Sequence, residues 1–132
     1  MAAILMVEDD QTLLKMYQTA FELEGFEFFS AQNGKDGITI SLEKHPGLIL
    51  LDLLLPEMDG ISVMQKLRED DWGKTVPIII LTNVDTSSEI LHAVLENQPT
   101  YYLVKANNEP SSVVAKVKEV LQEKVSINPA SL

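Results

Sequence analysis

Five short, largely apolar runs, each followed by a stretch of helical periodicity, constrain this chain more than any other feature. They are Ile4 to Val7, Glu27 to Ala31, Leu48 to Leu51, Ile78 to Leu81 and Tyr101 to Val104. Read as strands, the third and fourth are apolar at every position. Such a pattern fits strands covered on both faces of a parallel sheet, whereas a half-exposed antiparallel strand alternates.

The intervening segments carry helix signals. Leu13, Leu14, Tyr17, Ala20 and Phe21 mark one face of a first helix, and Gly25 stands where a left-handed cap would end it. Asn33 can cap a second helix ending near Lys44, before the turn His45-Pro46-Gly47. Ile61, Met64 and Leu67 follow Gly60 at three-residue spacing and predict a third helix, closed by the loop Asp71-Trp72-Gly73-Lys74. Asp85 or Ser87 can cap a fourth carrying Ile90, Leu91, Val94 and Leu95. Pro110 suits the first turn of a fifth, with Val113, Val114, Val117, Val120 and Leu121 on one side. The alternation βαβαβαβαβα calls for a parallel sheet with helices on both faces, wound by right-handed crossovers.

A chain of 132 residues is long enough for one continuous core and short for two. Its 45% apolar and 23% charged residues place it among globular proteins. The expected organisation is one domain over residues 1–125 and a frayed tail over 126–132. No apolar run approaches the roughly 18 to 20 residues of a membrane-spanning helix, and the amino terminus lacks the basic flank of a secretory signal, so the expected location is the cytoplasm. The absence of cysteine excludes thiolate chemistry. A net charge of −10 would repel a polyanion, which argues against direct nucleic-acid binding.

In an open parallel sheet, ligands bind beyond the carboxyl ends of the strands, where the strand order reverses. The residues following the runs are therefore the candidates for chemistry. Glu8, Asp9 and Asp10 follow the first run, Asp52 the third, Thr82 the fourth and Lys105 the fifth. If the first and third strands are neighbours, Glu8, Asp9 and Asp52 meet at one edge, where carboxylates repel one another unless a cation sits among them. A hard divalent ion, Mg²⁺ or Mn²⁺, suits such oxygen ligands and leaves room for a phosphate. Asp52, ending a buried strand, is the candidate nucleophile, because carboxylates form acyl phosphates. Lys105 can neutralise developing charge, and the Thr82 hydroxyl can donate to a phosphoryl oxygen. Any one of these acids taken singly is explained as well by helix capping or solvation, Asp10 above all. Their arrival together at four strand ends on one side of a sheet is not.

The segments ILMVEDD (Ile4 to Asp10), LILLDLLLPEMDG (Leu48 to Gly60), PIIILT (Pro77 to Thr82) and YLVK (Tyr102 to Lys105) together resemble the receiver domain of two-component response regulators, over essentially the whole chain. The resemblance implies a flavodoxin-like doubly wound α/β fold, (βα)5, with strand order 2-1-3-4-5. It implies Asp52 as phosphoacceptor, Glu8 and Asp9 as the acidic metal pair, and the Leu54 carbonyl as a further metal ligand. Thr82, Asn83 and Lys105 would surround the phosphate, and Thr82 and Tyr102 would act as the switch that alters the face formed by the fourth helix, fifth strand and fifth helix. The implied donor is a phosphohistidine on a sensor kinase or a histidine phosphotransfer protein, and the implied output is a protein contact. Such a chain would work as a monomer or weak dimer, as a signalling module and not as an enzyme on an external substrate. Tyr101, one residue before Tyr102, should face the opposite side of the sheet.

Two positions depart from the family pattern. Receivers usually place proline after the lysine, often with a cis peptide bond, whereas Ala106 stands here. A cis bond before alanine is disfavoured by roughly 2.5 to 4 kcal/mol, which predicts a trans bond and a reshaped loop. Asn83 replaces the small residue common after the hydroxyl and could narrow access to the phosphate. The side chains of Leu54 and Val84, which flank the path of an attacking water, cannot hydrogen-bond it, which predicts slow self-dephosphorylation. His45 and His92 have no partners at metal-ligand spacing and read as surface groups.

Three other functions compete with this reading. A receiver-like module that binds without being phosphorylated would have no need of the complete set Glu8, Asp9, Asp52, Thr82 and Lys105. An aspartyl-phosphate phosphatase would need a second aspartate where Leu54 stands. A flavin-binding protein would need a hydroxyl- and glycine-rich loop where the first strand is followed by acids.

Overall fold

The computed structural model describes residues 2–84 and 87–126. The elements run β1 (Ala3–Val7), α1 (Gln11–Leu23), β2 (Glu27–Ala31), α2 (Gly34–Lys44), β3 (Leu48–Leu51), α3 (Gly60–Glu69), β4 (Ile78–Thr82), α4 (Ser88–Glu96), β5 (Tyr101–Val104) and α5 (Pro110–Ser126), with a 3-10 turn, Lys105–Asn107, between the last two. All strand pairings are parallel, in the order β2-β1-β3-β4-β5. The expected flavodoxin-like winding is therefore the one observed.

Successive side chains of a strand point to opposite faces, and this parity builds two cores. Ile4, Met6, Leu48, Leu50, Ile79 and Leu81 pack with Tyr17 and Phe21 of α1 and Val113 and Val117 of α5. Leu5, Val7, Ile49, Leu51, Ile78 and Ile80 pack with Val63, Met64 and Leu67 of α3 and Val94 of α4. Every residue of β3 and β4 is buried, as their unbroken apolar runs require. Tyr101 joins the first core and Tyr102 the second, on opposite faces as expected.

Local chemistry sets the element ends. Asp10 caps α1 by accepting from the amides of Thr12 and Leu13 at 2.9 and 3.2 Å. Gly25, at φ 86°, closes α1 in a left-handed turn in which the Gly25 amide donates to the Glu22 carbonyl and the Phe26 amide to that of Phe21. Asn33, Asp59 and Ser87 cap α2, α3 and α4. Asp85, the alternative cap for α4, lies outside the described residues, as does the expected tail from 127 onward. The last helix, α5, is described through Ser126.

One cation at the end of α3 joins three segments. The Arg68 guanidinium donates to the carbonyls of Gly73, Val76, Asn97 and Gln98 at 2.7 to 2.9 Å. Four carbonyl dipoles, two of them just beyond the carboxyl end of α4, thus receive its charge, and burial lowers its pKa. Nearby, the exposed His45 ring lies flat on Trp72, with centroids 4.5 Å apart and planes at 8°.

Tyr17 reports on the first core. Burial, reinforced by the charge of Glu8, raises its phenol to about 12 from an ordinary value of 10.0. The unfolded chain ionises first, so the stability linked to this group is full below pH 10 and is lost as the pH rises through about 12. Two units correspond to about 2–3 kcal/mol. Urea denaturation between pH 10 and 12 should show a loss of that order in the parent beyond the loss in Tyr17→Phe.

Candidate functional site

Parallel register carries the ends of β1, β3, β4 and β5 to a common edge. Val7 lies opposite Leu51, and Thr82 opposite Val104. The residues that follow, Glu8, Asp52 and Lys105, consequently converge with Thr82. The Asp52 amide donates to the Val7 carbonyl at 3.1 Å, which continues the ladder one step into the site.

Asp52, 5% exposed, is held at both carboxylate oxygens. Its Oδ1 accepts from the Thr82 hydroxyl at 2.6 Å and from the Leu54 amide at 3.1 Å. Its Oδ2 accepts from Lys105 Nζ at 2.9 Å. The Thr82 hydroxyl is itself oriented, since its oxygen accepts from the Val84 amide at 3.2 Å. Lys105 thus bridges two acids: its ammonium also forms an ion pair with Glu8 Oε1.

Glu8 is 1% exposed, and its other oxygen accepts from the Asp10 amide at 3.1 Å. Burial pushes its carboxyl above the ordinary value, against the pull of Lys105 and of that amide. For Lys105 the balance has the opposite outcome for charge. Burial works to lower its pKa but is outweighed by the hydrogen bond to Asp52 and the contact with Glu8, so the net shift is upward and the ammonium is favoured.

Carboxylate oxygens of Glu8, Asp9 and Asp52 lie within 4.8 Å of one another. Asp9 is exposed, so the cluster opens to solvent on one side. An all-oxygen set, buried at Glu8 and Asp52 and open to solvent at Asp9, fits a hard divalent cation such as Mg²⁺ or Mn²⁺. Glu8, Asp9 and Asp52 are the residues that would hold it.

The remaining expected positions surround this centre. Leu54 sends its amide to Asp52 and leaves its side chain 57% exposed, while the half-buried Val84 places its amide on Thr82. Tyr102 packs against the second core, and its hydroxyl reaches the Val84 carbonyl at 3.5 Å. The exposed Asn83 turns its Oδ1 to the Ala106 amide at 2.9 Å. The Lys105–Ala106 bond is trans, as alanine in place of proline predicts, and the chain folds there into the 3-10 turn Lys105–Asn107.

Two backbone features near Asp52 were not assigned a role by the sequence. Gly60, read there only as a helix start, lies directly against the Asp52–Leu53 peptide. A Cβ on it would collide with the Asp52 carbonyl oxygen and come within 2.8 Å of Leu53 Cα. Glu57, at φ 67°, forms a tight three-residue turn in which the Met58 amide donates to the Pro56 carbonyl at 2.7 Å.

The family model for the response regulator receiver domain matches residues 4–118. The chain belongs to the response regulator receiver family. Among curated relatives of this receiver, the transcriptional regulatory protein SrrA of Staphylococcus aureus is 38% identical over 119 residues, or 90% of this chain and 47% of SrrA. The probable transcriptional regulator ycf27 of Porphyridium aerugineum is 32% identical over 127 residues, or 95% of this chain and 51% of that protein. The receiver thus spans about half the length of these relatives. A crystal structure of a CheY-like response regulator receiver domain protein from Methanospirillum hungatei superimposes with a TM-score of 0.88 at 26% identity, covering 97% of this chain and 99% of the other. As a receiver, the chain is a signalling module.

Gly60→Ala should lower stability by about 1–3 kcal/mol, because the methyl group meets backbone that has no room to move. Gly47→Ala, whose added carbon would come no nearer than 3.3 Å, to the Ala2 side chain, with the Ala3 carbonyl oxygen and Leu121 Cδ2 at ordinary contact distance, should change it far less. Urea midpoints of the two variants are the measurement; equal losses would refute the close-approach account.

Proposed function

We propose that this receiver accepts a phosphoryl group on Asp52 from a phosphohistidine of a sensor kinase or histidine phosphotransfer protein and passes the change on through a protein contact. The observation that carries the reading is the grip on Asp52: a hydroxyl on one oxygen, an ammonium on the other, and two further carboxylates beside it. In the transfer, a carboxylate oxygen of Asp52 attacks phosphorus, the bond from phosphorus to the donor's imidazole nitrogen breaks, and the released imidazole takes up a proton. A divalent cation bound at Glu8, Asp9, Asp52 and the Leu54 carbonyl would neutralise charge on the phosphoryl oxygens. Lys105 and Thr82 already point their donors at the acceptor, so little reorganisation is needed to bond the group it receives.

The same two residues link acceptance to shape. Once Thr82 bonds a phosphoryl oxygen, the conformer in which it does so is favoured by that interaction and by no more than it. Tyr102 lies on the neighbouring strand, with its hydroxyl near Val84, two residues past Thr82. The readout surface is the face of α4, β5 and α5, presented to a downstream protein in the cytoplasm by a monomer or weak dimer. Among the described residues no helix is long and apolar enough to cross a membrane.

Mixing the protein with a small acyl phosphate and Mg²⁺ should add one phosphoryl group by intact mass. Asp52→Asn and chelation of the metal should each abolish the addition; an unchanged Asp52→Asn product would overturn the reading.

Neither Leu54 nor Val84 has a side chain that can hold an attacking water. Leu54→Asn and Val84→Glu should therefore shorten the lifetime of the acyl phosphate, followed as loss of the added mass after donor removal. Equal lifetimes in parent and variants would refute this.

A further inference from the structure

The two departures from the family pattern are in contact. Asn83 follows Thr82, Ala106 follows Lys105, and the Ala106 amide donates to Asn83 Oδ1 at 2.9 Å. A proline in place of Ala106 would have no such donor. Thr82 and Lys105 hold opposite oxygens of Asp52. The bond between their successors therefore closes a ring that runs from Asp52 Oδ1 through Thr82, Asn83, Ala106 and Lys105 back to Asp52 Oδ2.

The position of this bond gives it its effect. The last register pair of β4 and β5 is Thr82 with Val104, so the strand ladder has ended when the chain reaches Lys105. Beyond that point the Lys105 backbone is held on one side by the 3-10 turn, in which the Asn108 amide donates to the Lys105 carbonyl at 3.2 Å and Asn108 Nδ2 to the Val104 carbonyl at 2.9 Å. Asn83 supplies the hold on the other side. It ties the turn to the residue that directly follows the hydroxyl-bearing end of β4.

We propose that Asn83 is a positioning residue: through the Ala106 amide it couples the end of β4 at Thr82 to the turn that carries Lys105 and holds the two donors in register for phosphoryl transfer. The reading of Asn83 as a residue that chiefly narrows access to the phosphate assigns it the opposite effect on rate. On that reading, trimming Asn83 speeds transfer; on the coupling reading, it slows transfer. This inference rests on Asp52 being the acceptor, but one arm of its test does not.

The first arm uses the unphosphorylated protein. The Ala106 amide should exchange slowly with solvent in the parent and about 2- to 10-fold faster in Asn83→Ala, the range expected for one exposed hydrogen bond. The amides of the neighbouring strands should be unaffected. The second arm measures the rate of phosphoryl addition from a small acyl phosphate. Asn83→Ala and Asn83→Leu, one smaller than the parent side chain and one of similar size, should both slow it by about 2- to 10-fold, since both lack the acceptor. The Ala106→Pro substitution disfavours the helical backbone of Lys105 in its own right. For this reason only the difference between Asn83 variants within an Ala106→Pro background is read, and there the effect should vanish, as it must for two residues acting through one bond.

An Ala106 amide that exchanges at the same rate in Asn83→Ala overturns the proposal, whatever the outcome of the second arm. So does faster addition in Asn83→Ala with a parent-like rate in Asn83→Leu, or an Asn83 effect that persists in the Ala106→Pro background. A parent that takes up no phosphoryl group refutes the proposed function instead, and leaves the exchange measurement to decide the coupling.

Discussion

Three carboxylates crowd one edge of the sheet, and the Lys105 ammonium makes that crowding tolerable. Carboxylate oxygens within 4.8 Å of one another repel. Burial of Glu8 sharpens the conflict, because its carboxylate has lost most of its water. Lys105 is placed between Glu8 and Asp52 and answers both. Its own burial would favour the neutral amine, yet the two acids keep it charged. Each ion thus supplies the condition for the other's ionisation.

The sheet exists to make this meeting possible. Parallel pairing of β1, β3, β4 and β5 sends every strand's carboxyl end the same way, and burial of β3 and β4 on both faces fixes their register. A slip of one residue would exchange the two cores and turn Asp52 away from Thr82. The rigidity of the site is thus borrowed from apolar packing on both sides of the strands, and the polar residues need only occupy the positions that the ladder hands to them.

Much of this was legible in the sequence because it depends on periodicity and on strand ends. The unbroken apolar runs Leu48 to Leu51 and Ile78 to Leu81 could be assigned to buried parallel strands, and the residues after them to the binding edge. Asp10, Asn33 and Ser87 were legible as caps, since their side chains act on amides two or three residues away. What escaped depends on backbone brought together from distant parts of the chain. The close approach of Gly60 to the Asp52 peptide, the carbonyls around Arg68 and the bond from Ala106 to Asn83 each use a main-chain group that nearly every residue possesses. Such partners leave no mark on residue type.

Arg68 bears on how α4 can respond to events at the site. Two of its four bonds reach the carbonyls of Asn97 and Gln98, immediately past the end of α4, while the opposite end of that helix leads back toward Thr82. While those bonds hold, the helix is tethered at one terminus by a side chain that itself belongs to α3. Any displacement of the carboxyl end of α4 must break or carry along those bonds, whereas no comparable side-chain clamp from α3 reaches its amino end among the described residues.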